Sequence, residues 1–178
     1  MKKVNKVLSA TMMAAAVFAT GAVGVSAAEG GSTIKITTEA TTMNVTVPSE
    51  MPMTFKADGS NVYADNFMIE NNSSIGDIHL SSIEAEGVSD WTLEPEGTDF
   101  NSKPANTKSI ELTVQGKVIA PEGGTEAATG SATYTQGEFD VANQSGATMT
   151  YSAKRGAFTD VLSGESAYTL TMTFDFNE

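Results

Sequence analysis

Apolar and polar residues alternate along several short segments of the chain, most regularly near its C-terminus. From Tyr168 to Phe176 every second residue is apolar or aromatic, and the residues between them are three threonines and Asp175. A period of two, rich in β-branched and aromatic residues, is typical of a strand that buries one face. This segment is therefore predicted to be a half-buried β-strand.

The same alternation predicts further strands upstream. The clearest are carried by Ile110, Leu112 and Val114, with continuation to Val118; by Met43, Val45 and Val47; and by Ile34 and Ile36. Weaker patterns predict strands over 62–70, 77–83, 91–94, 138–141 and 148–153. Turn residues such as Asp58-Gly59-Ser60-Asn61 separate these runs.

Between and beyond these strands, the sequence contains no amphipathic helical pattern. Residues 123–137 are rich in Gly, Ala and Thr and poor in large apolar side chains, which predicts a long exposed loop. Many short strands separated by turns favour an all-β fold, and we predict a single antiparallel β-sandwich.

The N-terminus has a different character. Lys2, Lys3 and Lys6 precede the charge-free apolar stretch 7–25, and Val25-Ser26-Ala27 supplies small residues of the kind that signal peptidase recognises. The alternative is an uncleaved membrane anchor, since this stretch is nearly long enough to span a bilayer. The small residues favour cleavage. We expect a secretory signal peptide over 1–27 and one domain over 28–178, with no membrane association after cleavage.

Charge and cysteine content narrow the class of protein. Three of the ten basic residues lie in the predicted signal, so seven remain against 22 acidic residues, a formal charge of about −15. Such a surface repels nucleic acids and anionic lipids, which excludes both as expected partners. The chain has no cysteine, which excludes disulfides and a lipoprotein anchor. No sortase-type motif occurs near the C-terminus. We expect an extracellular protein that is either released or held at the cell wall without a covalent bond.

Candidate chemistry in the sequence is sparse. His79 is the sole histidine, so no zinc site is expected, and no Gly-x-Ser-x-Gly nucleophile motif occurs. A dense group of carboxylates favours a solvated acidic rim, and calcium binding there stays an open alternative. We predict no enzyme activity, no cofactor and no metal. The acidic residues concerned are Glu84, Glu86, Asp90, Glu94, Glu96 and Asp99.

The most specific local pattern is Trp91-Thr92-Leu93, in which Trp91 and Leu93 share one face of a strand. With the strand patterns 43–48 and 168–174, it resembles the WxL-domain proteins of Gram-positive cell surfaces, which carry a second Trp-x-Leu motif near the C-terminus. In this chain Met172 and Phe174 stand at those later positions. The resemblance implies a β-rich module attached to peptidoglycan. Trp91 and Leu93 are the candidate binding residues, with core packing as the alternative role.

Two functions follow as hypotheses. The first is a secreted, non-enzymatic surface or matrix protein that recognises peptidoglycan or another surface protein. The second is a fibre-forming subunit, of a pilus or a biofilm matrix, that self-associates by strand exchange of its N-terminal segment. The exchange candidates are Ile34, Ile36, Met43, Val45 and Val47. Pairing of that segment within its own chain is the competing expectation.

Overall fold

The structure, a computed structural model, describes residues 9–11, 37–39, 42–56 and 58–178. The chain divides into two compact units, 1–42 and 43–178. In the first unit, β1 (Ser9–Thr11) and β2 (Thr37–Glu39) form an antiparallel pair. Ile34, Ile36 and all of the predicted signal peptide except Ser9–Thr11 lie outside the described residues.

The second unit is built from strands and turns, which confirms the predicted all-β class. Its described helical segments are two short 3-10 turns, Phe100–Ser102 and Glu122–Gly124, and none of the described helices is long and apolar enough to cross a membrane. Its strands are β3 (Val45–Thr46), β4 (Met53–Phe55), β5 (Asn61–Tyr63), β6 (Met68–Asn71), β7 (Ile78–Gly87), β8 (Thr92–Leu93), β9 (Ser109–Val114), β10 (Lys117–Val118), β11 (Ala120–Pro121), β12 (Thr129–Thr133), β13 (Asp140–Val141), β14 (Ser145–Thr148), β15 (Tyr151–Arg155) and β16 (Tyr168–Phe176).

β7 is the centre of the largest sheet. One of its edges pairs with β16 over its whole length, and the other pairs with β12 and β13, while β11 extends the sheet beyond β12. Ser81 is an extra residue in β7, because Thr173 lies opposite Ser82 and Phe174 lies opposite Leu80. This bulge shifts the alternation, so that Leu80 and Ile83, three residues apart, are both buried.

Three smaller sheets complete the second unit. β9 lies between β10 and β15 and also pairs with β8; β6 lies between β14 and β3; and β4 pairs with β5. The pairing of β8 with β9 is parallel, whereas the other strand pairs described are antiparallel. The prediction of antiparallel pairing therefore needs this one correction, and the sandwich arrangement stays a prediction.

The predicted continuation of β9 through Val118 is wrong. Gln115 and Gly116 have positive φ angles of 47° and 77°, and they form a two-residue turn. Such a turn matches the twist of paired strands and folds the chain back on itself. β10 therefore pairs with β9, with Lys117 opposite Val114.

The predicted loop over 123–137 is also wrong, because β12 lies within it and pairs with β7. Its inward positions are small: Gly130 and Ala132 are half-buried, and Thr129, Ser131 and Thr133 are exposed. Small inward residues let the strand approach the neighbouring backbone. A Cβ on Gly130 would lie 2.6 Å from the carbonyl oxygen of Ala120.

The hydrophobic core contains residues from the sheets built around β7, β9 and β6. Fully buried side chains come from β6, β7, β8, β9, β13 and the segments beside them: Ile69, Ile78, Leu80, Ile83, Leu93, Ile110, Leu112, Val114, Ile119, Val141 and Met149. Two weaker predicted strands are divided in the structure, 62–70 into β5 and β6 and 148–153 into β14 and β15.

Candidate functional site

Trp91 and Leu93, the binding residues predicted from the sequence, are buried in the core. Their exposed fractions are 3% and 0%. The Trp91 ring stacks on Phe158 at 6.0 Å between centroids and meets Tyr168 edge to face at the same distance. Its indole N–H is buried and has no hydrogen-bond partner among the described residues. Both side chains therefore pack in the core, and a binding role for them stays a prediction.

Trp91 belongs to a chain of aromatic contacts that runs between distant segments. Phe158 also stacks on Phe55 of β4, with 5.9 Å between ring centroids. The guanidinium of Arg155 lies 4.7 Å from the centre of the Phe55 ring and 5.7 Å from that of Phe158. A cation over aromatic faces is attracted by the ring quadrupoles. These contacts join β4, β15, the segment after β15 and the start of β16.

The strand-exchange candidates that the structure describes lie at the edge of one sheet. Val45 pairs with Asn71 of β6, and Met43 and Val45 are half-buried against the core. Val47 is 38% exposed. Val45 thus pairs within its own chain, as expected if the N-terminal segment is not exchanged. Ile34 and Ile36 lie outside the described residues.

A regular polar surface covers the outer side of β12, β7 and β16, which we call the hydroxyl face. Glu84 and Glu86 form its middle row on β7, and each has a hydroxyl-bearing residue directly opposite on both neighbouring strands. All of its members are exposed. They are Thr129, Ser131 and Thr133 on β12, Glu84 and Glu86 on β7, and Thr169, Thr171 and Thr173 on β16.

Strand geometry sets the spacing of these groups. Neighbouring strands lie about 4.8 Å apart, and residues two apart along a strand lie about 6.7 Å apart on the same side. A shallow depression of about 580 Å³ crosses this face, with Glu84, Glu86, Thr169 and Thr171 on one side and the segment 120–123 on the other. At its rim, the Thr129 hydroxyl donates to Glu122 Oε2 at 2.8 Å. The face therefore presents hydroxyls and carboxylates in a repeating array.

The carboxylates of the hydroxyl face differ from two others that the structure buries. Glu94, which the sequence places on an acidic rim, is only 2% exposed, so that prediction is wrong for this residue. Glu111, which alternates with the apolar residues Ile110 and Leu112 in β9, is 1% exposed. Glu94 pairs with Lys103, which also bonds to Glu126 Oε2 at 2.9 Å. Each buried acid is therefore neutralised locally and is bound within the fold.

The pKa values in the cluster of Glu94, Lys103 and Glu126 follow from its contacts. Burial opposes the charge of Lys103, but the hydrogen bonds that Lys103 donates to Glu94 and Glu126 outweigh it and raise the pKa of Lys103. The Lys103 and Thr92 hydrogen bonds lower the pKa of Glu126. Burial, with the nearby Glu94 carboxylate, raises the pKa of Tyr168 above its usual value. These shifts keep Lys103 charged, Glu126 ionised and Tyr168 neutral near neutral pH, which suits a structural role.

Glu111 is satisfied from two sides. Its Oε1 accepts a hydrogen bond from Lys154 Nζ at 2.5 Å, and its Oε2 accepts one from the Gly97 backbone N–H at 2.7 Å. Gly97 has a φ of 82° in the turn that follows β8. Glu111 therefore fixes that turn against β9, and alternation alone could not reveal this because Lys154 is 43 residues away.

His79 is half-buried rather than fully on the surface. Its Nδ1 lies 2.8 Å from Asn177 Oδ1, and Asp140 and Asp175 occupy the positions opposite it on β13 and β16. Within the described ranges, no three His, Asp or Glu side chains are grouped so that they could hold a metal ion. His79 is thus held by an amide partner at the end of the hydroxyl face.

Comparison with known proteins gives no family for this chain. No protein-family model matches it, and no match is found among curated proteins or solved structures. The resemblance to WxL-domain proteins is neither confirmed nor refuted by these comparisons and stays a prediction.

Proposed function

We propose that this chain is an exported, non-enzymatic protein of the cell surface or extracellular matrix that acts by non-covalent recognition at the cell envelope. The hydroxyl face is its contact surface, and peptidoglycan or another surface protein is its partner. The observation that carries the proposal is the array of six exposed hydroxyls beside Glu84 and Glu86 on three adjacent strands.

The chemistry of this face suits a polymer rich in hydroxyl, amide and ammonium groups. Threonine and serine hydroxyls both donate and accept hydrogen bonds, and carboxylates accept strong ones from sugar hydroxyls and ammonium groups. Glu84 and Glu86 form no ion pair in the described part of the chain, so their charges are available to a ligand. The shallow depression offers room for an extended chain rather than an enclosed small molecule.

The test is co-sedimentation of the mature protein with purified peptidoglycan from a Gram-positive cell wall. We expect the protein in the pellet, and a strong reduction when Glu84→Gln and Glu86→Gln are combined or when Thr171→Val is introduced. Matched controls are Glu70→Gln and Thr148→Val, which change exposed residues of β6 and β14 on another sheet. Equal recovery in the supernatant with and without walls would refute wall binding.

Export is tested separately by mass spectrometry of the culture medium. A secreted chain that begins at Ala28 supports the predicted cleavage, whereas a cell-bound chain that retains Lys2 and Lys3 contradicts it.

Self-assembly is the second candidate function. It is favoured by β16, which has a strand partner along one edge only within the described residues.

A further inference from the structure

We propose that β16 accepts residues 32–41 of a second copy, which we call the leader, as an added β-strand. This inference deepens the self-assembly candidate above and rests on removal of the predicted signal peptide. The outer edge of β16 is the acceptor, and the leader of the second copy is the donor.

The acceptor is a long open edge. β16 spans nine residues and pairs with β7, and no other strand in the described part of the chain pairs with it. Alternate backbone N–H and C=O groups point to the two edges of an antiparallel strand. The outer edge of β16 therefore presents a row of backbone donors and acceptors that a further strand can satisfy.

The apolar layer beside this edge is incomplete. Ile78, Leu80, Ile83 and Ala85 of β7 are at most 3% exposed. The apolar side chains of β16 pack on the same core but are only half-buried, namely Tyr168, Leu170, Met172, Phe174 and Phe176. An added strand with apolar residues at alternate positions would cover them, and burial of apolar area favours its addition.

β16 also lacks the features that usually protect an edge. Proteins block open edges with lysine, proline, short strands or bulges that twist the edge away. Between Tyr168 and Phe176 there is no Lys, Pro or Gly, and Asp175 is the only charged residue. The bulge in this pair inserts its extra residue, Ser81, in β7 rather than in β16. The edge is thus long, regular and rich in strand-forming residues.

The leader has the sequence properties that an added strand at this edge requires. Ile34 and Ile36 alternate with Thr33, Lys35 and Thr37, and Thr37–Glu39 is a strand, β2. The partner of β2 is β1, which lies inside the predicted signal peptide. Cleavage after Ala27 removes β1 and leaves β2 without the partner it has in the precursor.

Length and charge are compatible with this pairing. Ten extended residues span about 33 Å, close to the length of about 30 Å that nine residues of β16 cover. Lys35 is the leader's single cation. On the acceptor side, the exposed charges beside β16 are the carboxylates of Glu84, Glu86 and Asp175. Glu39 balances Lys35, so the leader is formally neutral, and these carboxylates repel it less than they would repel a more acidic segment of the same chain.

The absence of native cysteine permits a direct test by crosslinking. Mature protein with Lys35→Cys is mixed with mature protein carrying Thr171→Cys, and a short bis-maleimide reagent is added. We expect crosslinked heterodimer in this mixture and a much lower yield with Thr148→Cys, which replaces another exposed threonine, on β14. Equal yields from the two acceptors would overturn the proposal.

A double variant distinguishes exchange between copies from folding back. If Lys35→Cys with Thr171→Cys in one chain gives only an intramolecular crosslink and the mixture gives no heterodimer, the leader covers its own β16 and the proposal is wrong.

The oligomeric state is measured by sedimentation velocity on the same mature chain. Ile34→Lys combined with Ile36→Lys should convert oligomers to monomers with an unchanged circular dichroism spectrum, whereas Thr33→Lys with Thr37→Lys should not. A mature chain that is monomeric at all concentrations refutes the inference. Wall binding is scored independently with the Glu84 and Glu86 variants, so failure of either proposal leaves the other intact.

Discussion

Gly130 of β12 and Leu93 of β8 are in such close contact that a Cβ on Gly130 would lie 2.7 Å from Leu93 Cδ1. The same Cβ would lie 2.6 Å from the carbonyl oxygen of Ala120, so the space is closed by backbone as well as by a side chain. Leu93 is completely buried. β12 can therefore occupy its place beside β7 and β11 only because position 130 has no side chain.

Gly130→Ala should destabilise the protein by about 1–3 kcal/mol, the usual cost of forcing extra atoms into a packed site. Urea unfolding followed by circular dichroism measures the change. Gly156→Ala is the matched control, because its Cβ would meet only the Phe100 carbonyl oxygen, at 3.7 Å. That variant should be unchanged or slightly more stable. Similar losses in both variants would contradict the packing argument.

Arg155→Met should also destabilise the fold, by about 1–3 kcal/mol, since it removes cation–π contacts and charged hydrogen bonds. Arg155 donates to Asn61 Oδ1 at 3.1 Å, the Gly156 carbonyl at 2.8 Å and the Lys56 carbonyl at 3.1 Å. The β4–β5 hairpin should exchange its amide hydrogens faster in this variant. Lys56→Met, an exposed change beside it, should have little effect on either measurement.

Lys103→Met removes the cation that neutralises buried Glu94. Breaking a buried pair from one side is costly, and because Lys103 is 20% exposed we expect a loss of about 1–3 kcal/mol. Adding Glu94→Met should restore most of that stability, because the unpaired charge is then gone as well. Lys108→Met, which breaks pairs to exposed Asp90 and Glu165, should cost less than about 1 kcal/mol. A double variant no better than the single one would argue against the pairing.

The exposed pair of Glu138 and Lys117 predicts an acid-dependent effect. The Lys117 hydrogen bond, with bonds from Thr135, lowers the pKa of Glu138 from 4.5 to about 2. A lowered pKa means that the stabilisation is present above pH 4.5 and is lost as the pH falls through about 2. Glu138→Gln should therefore lower the Tm at neutral pH and leave it nearly unchanged near pH 2. A Tm difference that is the same across this range would contradict the assignment.

The sequence pattern predicts a strand well where one face is buried and the other exposed. Tyr168–Phe176 is one unbroken strand, as its alternation indicates. β12 was not predicted because Gly130 and Ala132 contribute little hydrophobicity. At position 130, the nearness of Leu93 and Ala120 leaves no room for a side chain. The bulge at Ser81 depends on how β7 is aligned with β16, and the sequence of β7 alone does not determine that alignment.

The candidate sites, too, could be predicted from the sequence only in part. The alternating threonines of β16 follow from the sequence. The position of Glu86 between Thr169 and Thr129, in contrast, depends on which strands are neighbours. Burial of Glu111 depends on Lys154, far along the chain. Tertiary pairing, rather than local pattern, therefore determines both the hydroxyl face and the buried ion pairs.

Trp91 is the sole tryptophan of the chain, and it is buried between Phe158 and Tyr168 without a hydrogen-bond partner for its indole among the described residues. An indole in such an apolar setting emits at short wavelength, and its emission moves to the red when water reaches it. Every copy of the protein thus carries a single indole fluorophore, at the junction of β8, β16 and the segment after β15. Its spectrum and its quenching by acrylamide report directly on the opening of that junction, with no added label.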